Sequence, residues 1–388
     1  MAITRKIDLN SIFIFLFFAI FPFGQIIRIG ILQPIDLVVG LAAIYTIFKK
    51  LPKPEAFKYF ENFLILTIFS WVFGTLMFQR IEVFYGFLYL IRITAYLYFV
   101  VYVWNFAKKN LKNSKLLVNS LLMVSVISAI FGWMQFFWFS DLKPFFVWGW
   151  DMHLFRLVGT FLDPTFLGLI IVFGLLTTLI RINEMKKKKN YILIAIFLLI
   201  SLAFTYSRAS YLALFAGLFV IAWHFHFIKK VLIFILIFVG LLFLLPTSKN
   251  HSIEILRSFS AIARVENYQT TLHIFSKSPI FGVGYDNMCL AYQKFVGFQP
   301  FNSHACSGSD SSLLFILATT GLAGFIVFVF TISRLATNLV SNSHFLILTS
   351  TFTALFVHSL FSNSMFYPWI MGYVLIVLTV SLGGKVKS

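Results

Sequence analysis

Apolar residues dominate this chain in runs of about 16–24 positions, near 11–27, 34–48, 61–78, 84–106, 116–139, 162–181, 190–206, 209–227, 230–246, 311–331, 344–361 and 366–383. Runs of that length cross roughly 30 Å of hydrocarbon as α-helices, so the pattern predicts about twelve transmembrane helices. The second run is short and carries Asp36 near its start, which suits either an interface or the inside of a bundle. No small-residue cleavage site follows the first run, so "MAITRKIDLNSIFIFLFFAIF" is expected to stay as a span. The expected fold class is an all-α polytopic membrane protein.

The polar intervals divide the chain into residues 1–247 with nine spans, a loop at 248–309, and residues 310–388 with three more. Within the loop, residues 254–276 show apolar positions at helical spacing, which predicts one or two short helices capping the bundle. "SPIFGVGYDN" then breaks the helix at Pro279, Gly282 and Gly284. A loop of this length inside a tight bundle is commonly functional. A second loop, 140–161, is rich in Trp, Phe and His, as suits a membrane interface.

The chain has 388 residues, 60% of them hydrophobic, with 31 Lys+Arg against 13 Asp+Glu and a net charge of +18. In a soluble protein such a balance suggests nucleic acid. Here the cations sort by side of the membrane, and no nucleic-acid partner is expected. With a cytoplasmic N-terminus, 20 cations fall in inner loops, among them Lys186 to Lys189, against 10 in outer loops, with Arg92 left inside a span. The expected location is the cytoplasmic membrane, with multiple passes and both termini cytoplasmic. The inner set is mostly lysine, whereas arginines are spread over several outer loops. Arginine carries the planar fork that grips phosphate or carboxylate at two points, so the outer face is read as an anion site.

Four outer segments carry candidate chemistry: "RLVGTFLDPTFLG" with Arg156, "TYSRAS" with Arg208, "ARVENYQTTLHIFSKSPIFGVGYDN" with Arg264, and "NSHACSGSDSSLLFILATTGLAG" with His304 and Asp310. A weaker fifth is "VHSLFSNSMFYPWIM" with His358. Converging, Arg156, Arg208 and Arg264 would bind a diphosphate, and His304 would serve as base toward an acceptor hydroxyl. Each outer arginine also fits as an interface anchor whose stem lies along apolar surface. An arginine at mid-bilayer costs about 2.5–3.5 kcal/mol on insertion scales, so Arg92 calls for a use, either on the substrate or in a pair with Asp36 or a carbonyl. Asp310 also fits as a helix N-cap. Cys289 and Cys306 fit a disulfide formed outside the cytoplasm, with Cys306 beside His304 a weaker fit to a thiol nucleophile. The sequence holds no P-loop, no HExxH and no paired carboxylates at metal-site spacing, which favours metal-free, cofactor-free chemistry.

Together these segments resemble the O-antigen ligase and O-antigen polymerase family of bacterial membrane glycan transferases, over roughly residues 150–375. The resemblance implies a GT-C-like helical enzyme that takes a glycan from undecaprenyl diphosphate at the outer face and passes it, with inversion, to an acceptor. That acceptor is the lipid A core for ligases and another lipid-linked repeat unit for polymerases. It also implies that the arginines hold the diphosphate, Arg92 being a further candidate, and that a histidine assists the acceptor hydroxyl. The family commonly has His-Asn eleven residues before the glycine of "GLxG"; here Asp310 stands there, with His304 six residues earlier. Either residue is therefore a candidate base. A transporter of lipid-linked saccharides and a non-catalytic scaffold are the competing classes; the first calls for repeated halves, which the sequence does not show.

Overall fold

The computed structural model describes residues 9–28, 32–148, 150–185, 188–245, 259–300, 306, 308–337 and 344–382. Fourteen α-helices lie within the described residues: α1 (Leu9–Ile20), α2 (Pro34–Phe48), α3 (Phe57–Phe78), α4 (Phe84–Ala107), α5 (Leu111–Trp138), α6 (Pro164–Glu184), α7 (Lys189–Ala203), α8 (Arg208–His224), α9 (Ile228–Phe243), α10 (Phe259–Lys277), α11 (Met288–Phe295), α12 (Ser312–Thr337), α13 (Phe345–His358) and α14 (Pro368–Leu382). Each of the twelve apolar runs coincides with one helix, and α10 and α11 are the helices of the long loop. The chain is an all-helical, multi-pass membrane protein. Residues 1–8 and 383–388, on which part of the expected orientation of the termini rests, lie outside the described residues.

Five helices, α3 to α6 and α12, are long and apolar enough to cross a membrane by themselves. Their surfaces show what they face: Leu76 on α3 is 70% exposed and Ile326 on α12 is 63% exposed. They belong to a long series of exposed Leu, Ile and Phe side chains, a surface that is ordinary against lipid. The core includes several large aromatic side chains, with Tyr96, Tyr102, Tyr373 and Trp369 fully buried.

The starts of the helices follow local chemistry. Asp163 caps α6 by accepting from the amides of Thr165 (2.6 Å) and Phe166 (3.3 Å), with Pro164 in the first helical position. Asn110 does the same for α5 through the Asn113 amide at 2.8 Å.

Contacts sort the helix ends into two sets. At one end, Asn105 Nδ2 donates to Pro52 O (2.8 Å), Thr331 Oγ1 to Tyr59 O (3.1 Å) and Ser381 Oγ to His344 O (3.4 Å). The lysine clusters at 49–58, 108–115 and 229–230 belong to that end. At the other end, α7, α8, α13 and α14 are too short to cover roughly 30 Å at 1.5 Å per residue. They give way to irregular backbone at 204–207 and 359–367. Non-helical backbone near membrane depth is tolerated where protein buries it or where it lines a cavity.

Candidate functional site

The irregular end is built from the quoted segments. "RLVGTFLDPT" runs between α5 and α6 and is fixed from three sides. Gln135 Oε1 accepts from the amides of Val158 (3.0 Å) and Gly159 (3.2 Å), Gln25 Nε2 donates to Phe161 O (3.1 Å), and the Leu157 amide donates to Phe204 O (2.9 Å). Held this way, Arg156 points across to the turn between α7 and α8. Its Nε donates to Thr205 O and its Nη2 to Tyr206 O, both at 3.0 Å. Tyr206 has a left-handed backbone (φ 49°), which lets the chain reverse there. Two residues later α8 opens on Arg208, with Ser207 as its cap. Arg156 thus orders the turn that presents Arg208, and both side chains are half-buried.

Beneath this turn lies His358, fully buried at the last position of α13. Its Nδ1 is 2.6 Å from Ser364 Oγ and its Nε2 is 3.4 Å from Ser210 Oγ. Ser210 Oγ is in turn 2.8 Å from Ser207 Oγ and donates to Thr165 O at 3.2 Å. The network ties α6, α8, α13 and the 359–367 segment together. Both Asp163 and Arg264 act electrostatically on His358, which brings α10 to the same place.

α10 lies over this end. Tyr268 donates its hydroxyl to Leu360 O, and burial pushes its phenol pKa up, with Arg264 opposing the shift and Asp310 adding to it. Asn267 Oδ1 accepts from the Asp310 amide at 2.8 Å and from Ser309 Oγ at 3.4 Å. Asp310 therefore sits against α10 just ahead of α12. Ser311, not Asp310, provides the cap, its Oγ accepting from the Leu314 amide at 3.4 Å. His304 lies outside the described residues.

The glycine turns interlock. α12 is kinked at Gly321 (φ 68°, ψ −172°), which opens its backbone ladder. Ala318 O and Thr319 O accept from the amides of Val283 and Gly284, both at 3.0 Å, while the amides of Leu322 (2.8 Å) and Ala323 (3.1 Å) donate to Pro279 O and Ile280 O. Ser70 Oγ closes the joint from α3 by bonding Thr319 O (2.7 Å) and Phe281 O (3.1 Å). "SPIFGVG" and "TTGLAG" are thus the two halves of one backbone clasp. A Cys289–Cys306 disulfide fixes α11 to the segment that precedes Asp310, which settles the role of the two cysteines.

Arg92 occupies a different place. Its Nη2 pairs with Asp36 Oδ2 at 2.7 Å, Tyr96 donates to Asp36 Oδ1 at 3.3 Å, and the guanidinium lies 4.9 Å from the centre of the Tyr89 ring. Both charged partners are nearly dry, with side chains 10% and 7% exposed. Asp286, half-buried with φ 59°, faces the same arginine; burial pushes its carboxyl pKa up to about 8, with Arg92 opposing the shift. The structure thus sets Arg264 and Asp310 about Tyr268, puts Arg156 on the turn that leads into Arg208 at the same end, and sets Arg92 in an ion pair beside α2. Among the described residues, no three His, Cys, Asp or Glu side chains come together as a metal site.

Sequence reasoning singles out neither Asn267 and Tyr268 nor Ser210 and Asp163. All four lie inside the quoted segments, so the signal is present but attached to the neighbouring arginines. Residues 193–329, which span α7 to α12 and include Arg208, Arg264 and Asp310, match the family model described as O-antigen ligase. No curated protein matches the chain.

Proposed function

We propose, from the match of residues 193–329 to the O-antigen ligase family, that this protein is a membrane glycosyltransferase acting at the irregular end of its bundle. The donor is a glycan on undecaprenyl diphosphate. The acceptor is the lipid A core or another surface glycan, and the active end faces away from the cytoplasm. One observation carries the reading: the matched segment contributes Arg208, Arg264 and Asp310 to a single region, where Arg156 orders the turn that presents Arg208. The Cys289–Cys306 disulfide supports the orientation, because such bonds persist in oxidising compartments.

In the proposed reaction an acceptor hydroxyl attacks the anomeric carbon of the donor sugar from the side opposite the diphosphate. The new carbon–oxygen bond forms as the bond to the diphosphate oxygen breaks, so the configuration inverts. The hydroxyl proton passes to His304 or Asp310, and the electron pair leaves with the diphosphate. Arg208 and Arg264 offset the charge that grows on the leaving group, a type of stabilisation typically worth about 10²–10³ in rate per donor. The proposal assigns no metal and no cofactor, since guanidinium groups supply the positive charge. A polymerase that joins lipid-linked repeat units uses the same residues and differs in its acceptor.

The test uses the purified full chain with a lipid-diphosphate-linked glycan and no added metal or nucleotide. Wild type should transfer the glycan, while Arg208→Ala and Arg264→Ala should lose transfer at normal membrane expression. A single product band would indicate a ligase and a ladder a polymerase. Near-normal transfer by both variants would overturn the assignment.

A further inference from the structure

A cleft of about 410 Å³ lies at the opposite half of the molecule, between α6, α7, α8 and α9. Along α8 it runs from Leu214 to Ile221, and along α6 from Leu175 to Asn183, roughly 10 Å and 12 Å at 1.5 Å per residue. Its volume matches roughly a dozen groups of the size of a water or a methylene. Ile196, on its α7 wall, is 51% exposed, so the cleft opens sideways to the surroundings of the bundle.

The lining is apolar apart from Asn183 and Lys230, and both stand at the lysine-rich end. Asn183 uses its amide nitrogen on Leu179 O (3.0 Å), while Lys230 is exposed. Lys188, Lys189 and Lys229 are exposed on the adjoining helix ends. Between residues 164 and 253 the chain has a single carboxylate, Glu184, and it pairs with Arg181 at 3.4 Å. An apolar slot with a cationic mouth at one end has the polarity of a lipid with a negatively charged head.

We infer that this cleft is a binding site for one anionic phospholipid of the leaflet at the lysine-rich end, with an acyl chain between α7, α8 and α9 and its phosphate on Lys230. The inference is independent of glycan transfer, because it rests on residues at the other end of the bundle. A lipid held there would brace α9, whose contacts with the core run through Val231, Phe238 and Leu242.

The full chain, purified in mild detergent, would be titrated with phosphatidylglycerol, with phosphatidylcholine of the same chains, and with polyprenyl monophosphate, and retained lipid counted by native mass spectrometry. One phosphatidylglycerol per chain should be retained at least ten-fold better than phosphatidylcholine. Lys230→Gln, an exposed change that leaves the fold intact, should remove most of that preference, and Ala195→Phe, which fills the slot, should remove retention itself. Equal retention of the two phospholipids, or an unchanged preference in Lys230→Gln, would overturn the site. Displacement of phosphatidylglycerol by an equimolar amount of polyprenyl monophosphate would overturn it as well, by giving the slot to an isoprenoid tail.

Discussion

Replacing Gly321 by alanine tests whether the backbone clasp holds the loop end together. The position has φ 68°, and a Cβ there would overlap Ile280 O and come 2.5 Å from the Gly282 amide nitrogen. No flexible side chain is available to yield, because the obstructing atoms are backbone. The unfavourable conformation alone costs about 1–3 kcal/mol. Relieving the overlap means moving the turn at 278–284 away from α12, which puts at risk the four backbone hydrogen bonds between them, each worth about 1 kcal/mol net. The expected loss is therefore about 3–6 kcal/mol, a large part of the roughly 5–15 kcal/mol that separates folded from unfolded protein. Gly240, in α9, has open space where a Cβ would stand, with nothing within 4 Å, and serves as the control. Alanine at that position should be neutral or stabilising by up to about 1 kcal/mol. Unfolding of both variants would be followed by tryptophan fluorescence, and limited proteolysis would report on the loop between α10 and α12. A Gly321→Ala protein within about 1 kcal/mol of wild type, with unchanged protease protection, would refute the clasp as a determinant of stability.

Three further outcomes follow from the ion pair, the raised carboxyl and the disulfide. Removing one partner of the dry Arg92–Asp36 pair, as in Arg92→Ala, should cost about 3–5 kcal/mol, and Asp36→Asn combined with Arg92→Gln should cost less than the sum of the single changes in the same unfolding assay. Asp286 keeps its proton to about pH 8 in the fold, whereas an unfolded aspartate loses it near pH 3.9. Its contribution is therefore fully present below about pH 4, declines as the pH rises and is gone above about pH 8, and Asp286→Asn should flatten unfolding stability between about pH 5 and pH 8. Cys289→Ser opens a crosslink between residues 17 apart and should cost about 3 kcal/mol, with the wild type losing as much when reductant is added; stability insensitive to reductant would contradict this.

The helices are legible in the sequence because each apolar run is long and continuous enough to mark one helix, and the caps at Asp163 and Asn110 fix two of their starts locally. Helix ends at the site are less legible. The apolar pattern runs on to residue 206 and to residue 361, yet α7 stops at Ala203 and α13 at His358, because apolar content does not distinguish a span from buried irregular backbone. The sequence leaves Arg92 open between substrate and Asp36, since pairing across 56 residues depends on how α2 meets α4. The clasp is visible as two glycine-bearing segments, but not as one object: the hydrogen bonds between its two halves are all backbone, and no side-chain pattern encodes which carbonyl meets which amide. Asp310 does lie near a helix start, as its position suggests, but the cap falls to the next residue.

The direction of the helices adds a reason why an anion suits the loop end. Chain order makes α4, α6, α8, α12 and α14 begin there, while α3, α5, α7 and α13 end there. A helix N-terminus carries about half a positive charge and unpaired amides, so anions are favoured beside it. At α6 the amides of Thr165 and Phe166 are already taken by Asp163, and at α8 that of Ser210 is taken by Ser207, which leaves fewer backbone donors and more of the work to side chains. Arg208 at the first position of α8 adds a full charge where that dipole is already positive. Arg156 stands beside it on the carbonyls of Thr205 and Tyr206, and so adds to the same positive field. Cations suit helix C-termini, and these occur at both ends: much of the lysine lies at the opposite one, and Arg156 bonds the carbonyls just past α7 at this one, whereas Arg208 stands at a helix start. Of the two, Arg208 is the one whose position the helix dipole does not explain, which fits its proposed role as an anion ligand.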